Sequence, residues 1–121
     1  MKPLEGIRVI DMTRYLAGPH CTMLLAGLGA EVIKIETPGR GDIFRNRPPF
    51  GGASGHSLKK QNEDDLGFGL LHRARNKKSI TLDLRSEEGK KLFADLCTKS
   101  DVVVENYAPG IMEKMGFSYE D

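Results

Sequence analysis

The chain has 121 residues, 39% of them hydrophobic and 29% charged, with a formal net charge of +1. That suffices for one ordinary domain or part of a larger one, and the near-zero charge removes the simplest argument for nucleic acid or an anionic membrane as partner. No run approaches the roughly 18 apolar residues of a membrane helix, and Lys2, Glu5, Arg8, Asp11 and Arg14 interrupt any secretory leader, so a cytoplasmic protein is expected.

In chain order, IRVIDM (7–12) is a short β-branched run after Gly6 and predicts a strand. Cys21, Met23, Leu24, Leu25 and Leu28 fall within two helical turns ahead of Gly29, which predicts a helix of about ten residues. EVIKIE (31–36) is a second strand, and TPGRGD is turn chemistry. Residues 38–78, with three prolines, many glycines and the charged run KKQNEDDLG, read as a long surface loop or partly mobile excursion. SITLDL (79–84) returns to a strand, and Ser86 is placed to cap a helix that has Glu87 and Glu88 in its first turn and Leu92, Phe93, Leu96 and Cys97 on its apolar face. DVVVEN follows as a strand covered on both faces, with Pro109 at the first position of a last short helix that Gly116 ends. Strands alternating with helices predict an α/β fold with a mainly parallel sheet, whose ligands bind beyond the carboxyl ends of the strands.

The turn after the first strand, DMTRYLAGPHC, holds a single glycine and does not encode a GxGxxG dinucleotide loop. Cys21 and Cys97 have no metal-ligand spacing and read as buried thiols, and His20, His56 and His72 share no ligand pattern, so no metal site is expected. Asp11, Glu36, Asp42 and Glu105 lie near strand ends, where each is read as a helix cap or an acceptor for loop amides. The basic stretch HRARNKK (72–78) fits either a solvated charged face or an anion site for phosphates.

The stretches PLEGIRVIDMTRYLAGPHCTMLLAGLGAEVIKIE, GRGD, RNKKSITLDLRSEEGKKLF and DVVVENYAPGIMEKMGFSYE resemble, in order, motifs of the class III coenzyme A transferases. That family includes formyl-CoA, carnitine and bile-acid CoA transferases and the α-methylacyl-CoA racemases. Residues 43–75 are longer and more polar than its usual connection.

The resemblance implies a Rossmann-like large domain, of which residues 1–121 are the N-terminal portion, in a homodimer of interlocked chains. It implies coenzyme A as substrate. On matching positions Asn106 contacts the nucleotide, Leu82 and Arg85 line the adenine and its phosphates, Lys114 supplies a basic contact, and Tyr15 and Leu16 lie along the pantetheine arm. Val102, Val103 and Val104 are then a central strand that brings out Glu105 and Asn106.

Two positions depart from the formyl-CoA branch. Leu16 stands where that branch has glutamine, which argues against a very small polar acid, and Thr37 stands where it has an arginine, leaving the phosphates short of a cation that HRARNKK could replace. In the transferases an aspartate attacks the acyl-CoA thioester, and acyl-CoA donor and carboxylic acid acceptor exchange CoA through the resulting anhydride. That aspartate, like the acid/base residues of the racemases, lies beyond residue 121, so no catalytic residue is expected here and the chain alone should be inactive. A racemase of the same family and a non-catalytic CoA- or nucleotide-binding module are the alternatives.

Overall fold

The computed structural model describes residues 1–120. Strands β1 (Arg8–Asp11), β2 (Glu31–Glu36), β6 (Lys77–Thr81) and β7 (Val102–Val104) form one sheet in the order β6-β2-β1-β7, and every pairing in it is parallel. Helix α1 (Ala17–Gly27) connects β1 to β2, and α3 (Glu87–Cys97) connects β6 to β7. This is the expected α/β class with a parallel sheet.

The side-chain period of two sorts the strands between two cores. Val9 and Val32 pack with Ala26 and Ala30 on the α1 face, while Ile10 and Met12 pack with Phe93 of α3 on the other. Phe93 meets Phe117 edge-on at 4.7 Å between centroids, which ties the C-terminal segment to the same layer.

Helix α1 differs from the expected apolar stripe. Its small residues Gly18, Pro19, Thr22 and Ala26 face inward, whereas Leu24 and Leu28 are exposed. The cause is close approach: a Cβ on Gly18 would overlap the Thr13 side chain, so only a face of small residues lets the helix sit down on the loop after β1. Cys21 therefore points to solvent, and Cys97 is half-buried, so neither is the buried thiol expected.

The segment 38–78 is not a structureless loop. It contains a 3-10 helix (Ile43–Asn46), strands β3 (Phe50–Gly52), β4 (Gly55–Ser57) and β5 (Leu66–Gly67) in a small antiparallel sheet, and helix α2 (Phe68–Arg73). Strand β6 starts two residues before the predicted one and stops at Thr81, where pairing with Glu36 of β2 ends; Leu82 donates one further bond to the Glu36 carbonyl and the chain then turns.

Strand β7 is an edge of this sheet rather than its centre, and Val102 and Val103 are each 41% exposed. Pro109 lies ahead of the last helix, α4 (Ile111–Lys114), because Gly110 takes the N-cap position at φ 80°; Gly116, at φ 87°, follows the helix as expected.

Ser86 caps α3 as expected, accepting from the Gly89 amide at 3.0 Å while its hydroxyl donates to the Asp83 carbonyl at 2.9 Å. A Cβ on residue 89 would overlap that same carbonyl oxygen. In chemical denaturation Ser86→Ala should cost about 1 kcal/mol. Gly89→Ala should cost more, because the loop 82–86 must move with it; an equal or smaller loss would contradict this packing.

Candidate functional site at the carboxyl edge of the sheet

Because the strands are parallel, their carboxyl ends share one edge, and the residues singled out by resemblance all follow those ends. Tyr15 and Leu16 come after β1, Thr37 after β2, Leu82 and Arg85 after β6, and Asn106 and Lys114 after β7. From β1 the chain runs outward through β2 to β6, then crosses to the other side of β1 as β7. The switch point where ligands bind in open α/β sheets is thus the gap between the loops that follow β1 and β7.

Asn106 spans that gap. Its Oδ1 accepts from the Arg14 amide and its Nδ2 donates to the Arg14 carbonyl, both at 2.8 Å. The Arg14 guanidinium lies 5.1 Å from the Tyr107 ring centroid, and Glu105 accepts from the Tyr107 amide at 2.7 Å. Clamping Arg14 on both sides fixes the next residue, Tyr15, at φ 68°, a left-handed conformation that a bulky side chain adopts only when its surroundings hold it there. Tyr15 and Leu16 are 58% and 61% exposed at the rim.

The other positions are less gathered. Leu82 packs with Met12 and Phe93 in the core beneath the edge. Arg85 is exposed and pairs with Asp83 at 3.1 Å, Lys114 is exposed, and the Thr37 carbonyl accepts from the Gly41 amide at 2.8 Å to close the turn after β2.

Under α1 lies a network of charges. Asp11 accepts from Lys77 Nζ at 2.8 Å, with the two side chains 0% and 1% exposed; Lys77 also donates to the Pro19 carbonyl and to Thr22 Oγ1. Lys34 pairs with Asp42 at 2.7 Å, and Asp42 caps the 3-10 helix by accepting from the Phe44 amide. Glu36 accepts from Arg45 at 2.6 Å, from Ser79 Oγ at 2.6 Å and from the Asp42 amide at 2.7 Å.

Burial works to raise the carboxyls of Asp11 and Glu36, yet their donors outweigh it. Asp11 is held below the usual carboxylate range by Lys77, Thr13 and Thr22, and Glu36 is held down to about 2 by Arg45, Ser79 and the Asp42 amide. Burial pushes the Lys77 ammonium down, and Asp11 offsets only part of that.

The basic stretch 72–78 is neither one face nor one anion site. Lys77 is buried against Asp11, Lys78 reaches Glu31, Arg75 lies against the His72 carbonyl, and Arg73 stacks over the Phe44 ring at 4.3 Å. Lys34 and Arg45 carry no motif in the sequence, and Arg73 and Lys77 stand out there only as members of the basic stretch 72–78. The available signal was Lys34 and Glu36 on the same inward-facing positions as Val32, since charges on a buried face require partners. Between β2, β6 and α2 a cavity of about 230 Å³ is lined by Lys34, Glu36, Arg45, Leu70, Leu71, Ala74, Lys77 and Ser79 among others. Among the described residues no three His, Cys, Asp or Glu side chains come together as metal ligands would, and no helix is long and apolar enough to cross a membrane.

A parallel sheet with its loops pinned at the switch point is an α/β arrangement of the kind whose ligands bind at the carboxyl edge. The family model for CoA-transferase family III matches residues 4–121, and the chain belongs to that family. It is 45% identical over 120 residues to a formyl-CoA:oxalate CoA-transferase of Afipia carboxidovorans, covering 99% of this chain and 26% of that protein. It is 47% identical to a succinyl-CoA:glutarate CoA-transferase of Mus musculus, covering 100% of this chain and 25% of that protein. The crystal structure of a CAIB/BAIF family protein from Brucella suis superposes with a TM-score of 0.84 at 39% identity, over 98% of this chain and 29% of that one. The chain thus spans about a quarter of the length of these curated relatives.

The depressed carboxyl of Glu36 fixes the sign of a pH effect. Its contribution to stability is complete above the ordinary carboxyl value of 4.5 and is lost as pH falls towards about 2. In denaturant melts the stability gap between the native chain and Glu36→Gln should be widest above pH 5 and close steadily below it; a gap independent of pH would contradict the Glu36–Arg45–Ser79 arrangement.

Proposed function

We propose that this chain is the N-terminal portion of the large, CoA-binding domain of a class III CoA transferase. The full protein would move CoA between an acyl-CoA donor and a carboxylic acid acceptor, as a homodimer in the cytoplasm. The observation that carries this reading is the two-bond clamp of Asn106 on Arg14 at the switch point, inside a chain whose family is CoA-transferase family III. The relatives' names support an acid acceptor, since oxalate and glutarate are both dicarboxylic acids.

In this reading CoA lies along the carboxyl edge, with its adenine against Leu82, its phosphates near Arg85 and Lys114, and its pantetheine arm passing Tyr15 and Leu16. Thr37 closes the turn beside it without adding a charge. Asn106 acts mainly as a positioning residue: one lone pair and one amide hydrogen hold Arg14, which leaves one of each for the nucleotide. The nucleophilic aspartate would come from chain beyond residue 121, and the exposed Val102 and Val103 on edge strand β7 fit a sheet that continues there.

Two measurements check this. In the full-length enzyme Asn106→Ala should weaken CoA binding by roughly 1–2 kcal/mol, through loss of its own bonds and release of Tyr15; unchanged affinity on titration would refute the role. The 121-residue chain mixed with acyl-CoA and an acceptor acid should show no CoA exchange, and turnover would overturn the assignment of the nucleophile to later sequence.

A further inference from the structure

The order β6-β2-β1-β7 is the winding in which nucleotide-binding sheets open a switch point beside their first strand. In such sheets a carboxylate about 20 residues beyond the first turn bonds the bare ribose of the adenosine, and an arginine near it accommodates a ribose that carries a phosphate. Here Glu36, the last residue of β2, stands at that place. Its side chain is 2% exposed and is already held by Arg45, Ser79 and the Asp42 amide. Burial and three donors leave it nothing to offer a ribose hydroxyl.

Arg40, four residues further on, is free to do so. Its turn closes on the Thr37 carbonyl, which accepts from the Arg40 amide at 3.3 Å and the Gly41 amide at 2.8 Å. Gly39 and Gly41 flank it at φ 73° and 63°, and a Cβ on Gly41 would lie 2.6 Å from Arg45 Cδ and 2.8 Å from Glu36 Oε2, so the turn sits directly on the Glu36–Arg45 pair. The Arg40 side chain is exposed and has no acidic partner among the described residues. Both acids beside it are already paired, Asp42 with Lys34 at 2.7 Å and Glu36 with Arg45 at 2.6 Å. Neighbouring cations are engaged as well, Lys77 with Asp11, Lys78 with Glu31 and Arg85 with Asp83. A fixed turn thus presents an unneutralised guanidinium at the carboxyl edge.

We infer that Arg40 binds the phosphate on the ribose of coenzyme A, and so selects CoA over the same molecule without that phosphate. The inference rests on the CoA reading above, which puts the adenine against Leu82. The Leu82 amide donates to the Glu36 carbonyl at 3.0 Å, so the adenine position and the end of β2 are immediate neighbours. Adjacent strands lie about 4.8 Å apart, and a ribose joined to that adenine and turned towards the switch point crosses the end of β2 beside Arg40. A guanidinium fork matches two phosphate oxygens at once, which a lysine cannot do.

The test is an equilibrium titration of the full-length protein with CoA and with dephospho-CoA, which lacks only the ribose phosphate. The native protein should bind CoA about tenfold or more tightly, the scale of a charge-assisted hydrogen bond. Arg40→Gln should bring CoA down to the affinity of dephospho-CoA and leave dephospho-CoA unchanged. Arg40→Glu, a second variant, should abolish the preference at least as fully. Both should melt with the native protein, because the exposed side chain bonds nothing in the fold. A preference for CoA that persists in either variant overturns the assignment, and so does an equal loss for both ligands, which would give Arg40 a role away from the phosphate. If the native protein binds the two ligands equally, the inference fails and the CoA reading stands. If it binds neither, the CoA reading fails and the inference with it.

Discussion

The buried pair of Asp11 and Lys77 is the interaction on which the rest depends. Lys77 enters from the start of β6, after the long excursion, and finds Asp11 at the end of β1 together with the Pro19 carbonyl and the Thr22 hydroxyl in α1. Asp11 in turn holds the Thr13 amide at 2.9 Å and accepts from Thr22 at 2.7 Å. Desolvating two ions gains little net stability, but leaving either unpaired costs about 3–5 kcal/mol. The effect is to specify: one arrangement of β1, α1, β6 and the loop after β1 satisfies both ions, and alternatives that separate them are strongly disfavoured.

From that pin the carboxyl edge follows. With the loop after β1 fixed at Thr13 from below and at Arg14 by Asn106 from beyond β7, Tyr15 is held in its left-handed conformation at the rim. The same ion pair anchors the return of the segment that carries Phe44, Gly69 and Arg73, so the carboxyl edge and the cavity behind it are parts of one framework. Glu36 extends it, tying β2, β6 and the 3-10 helix together through Ser79, Arg45 and the Asp42 amide.

Much of this was legible in the sequence, for physical reasons that differ by element. β1 and β2 declared themselves through β-branched runs between turn residues, and α3 through a serine cap followed by acidic residues. Asp11, Glu36, Asp42 and Glu105 do accept loop amides or side-chain donors, as their places at strand ends suggested. The segment 38–78 reads as a loop in the sequence because its strands are only two or three residues long and are held by pairing with one another, which leaves no periodic signal. β7 reads as central in the sequence because an unbroken valine run looks the same on an edge strand as in the middle of a sheet. The basic stretch hid its meaning because consecutive residues leave α2 and enter β6 in different directions, so charges adjacent in sequence have separate partners in space.

The central claim is that CoA is held along the carboxyl edge of the sheet, at the gap spanned by Asn106. Hydrogen exchange of the full-length protein, read amide by amide with and without CoA, tests it most directly. The account predicts added protection in residues 13–16, 37–41, 82–86 and 105–110, with no change at the opposite edge around residues 29–30 and 98–101. Protection at that opposite edge, or none in the loops that follow β1 and β7, would contradict it.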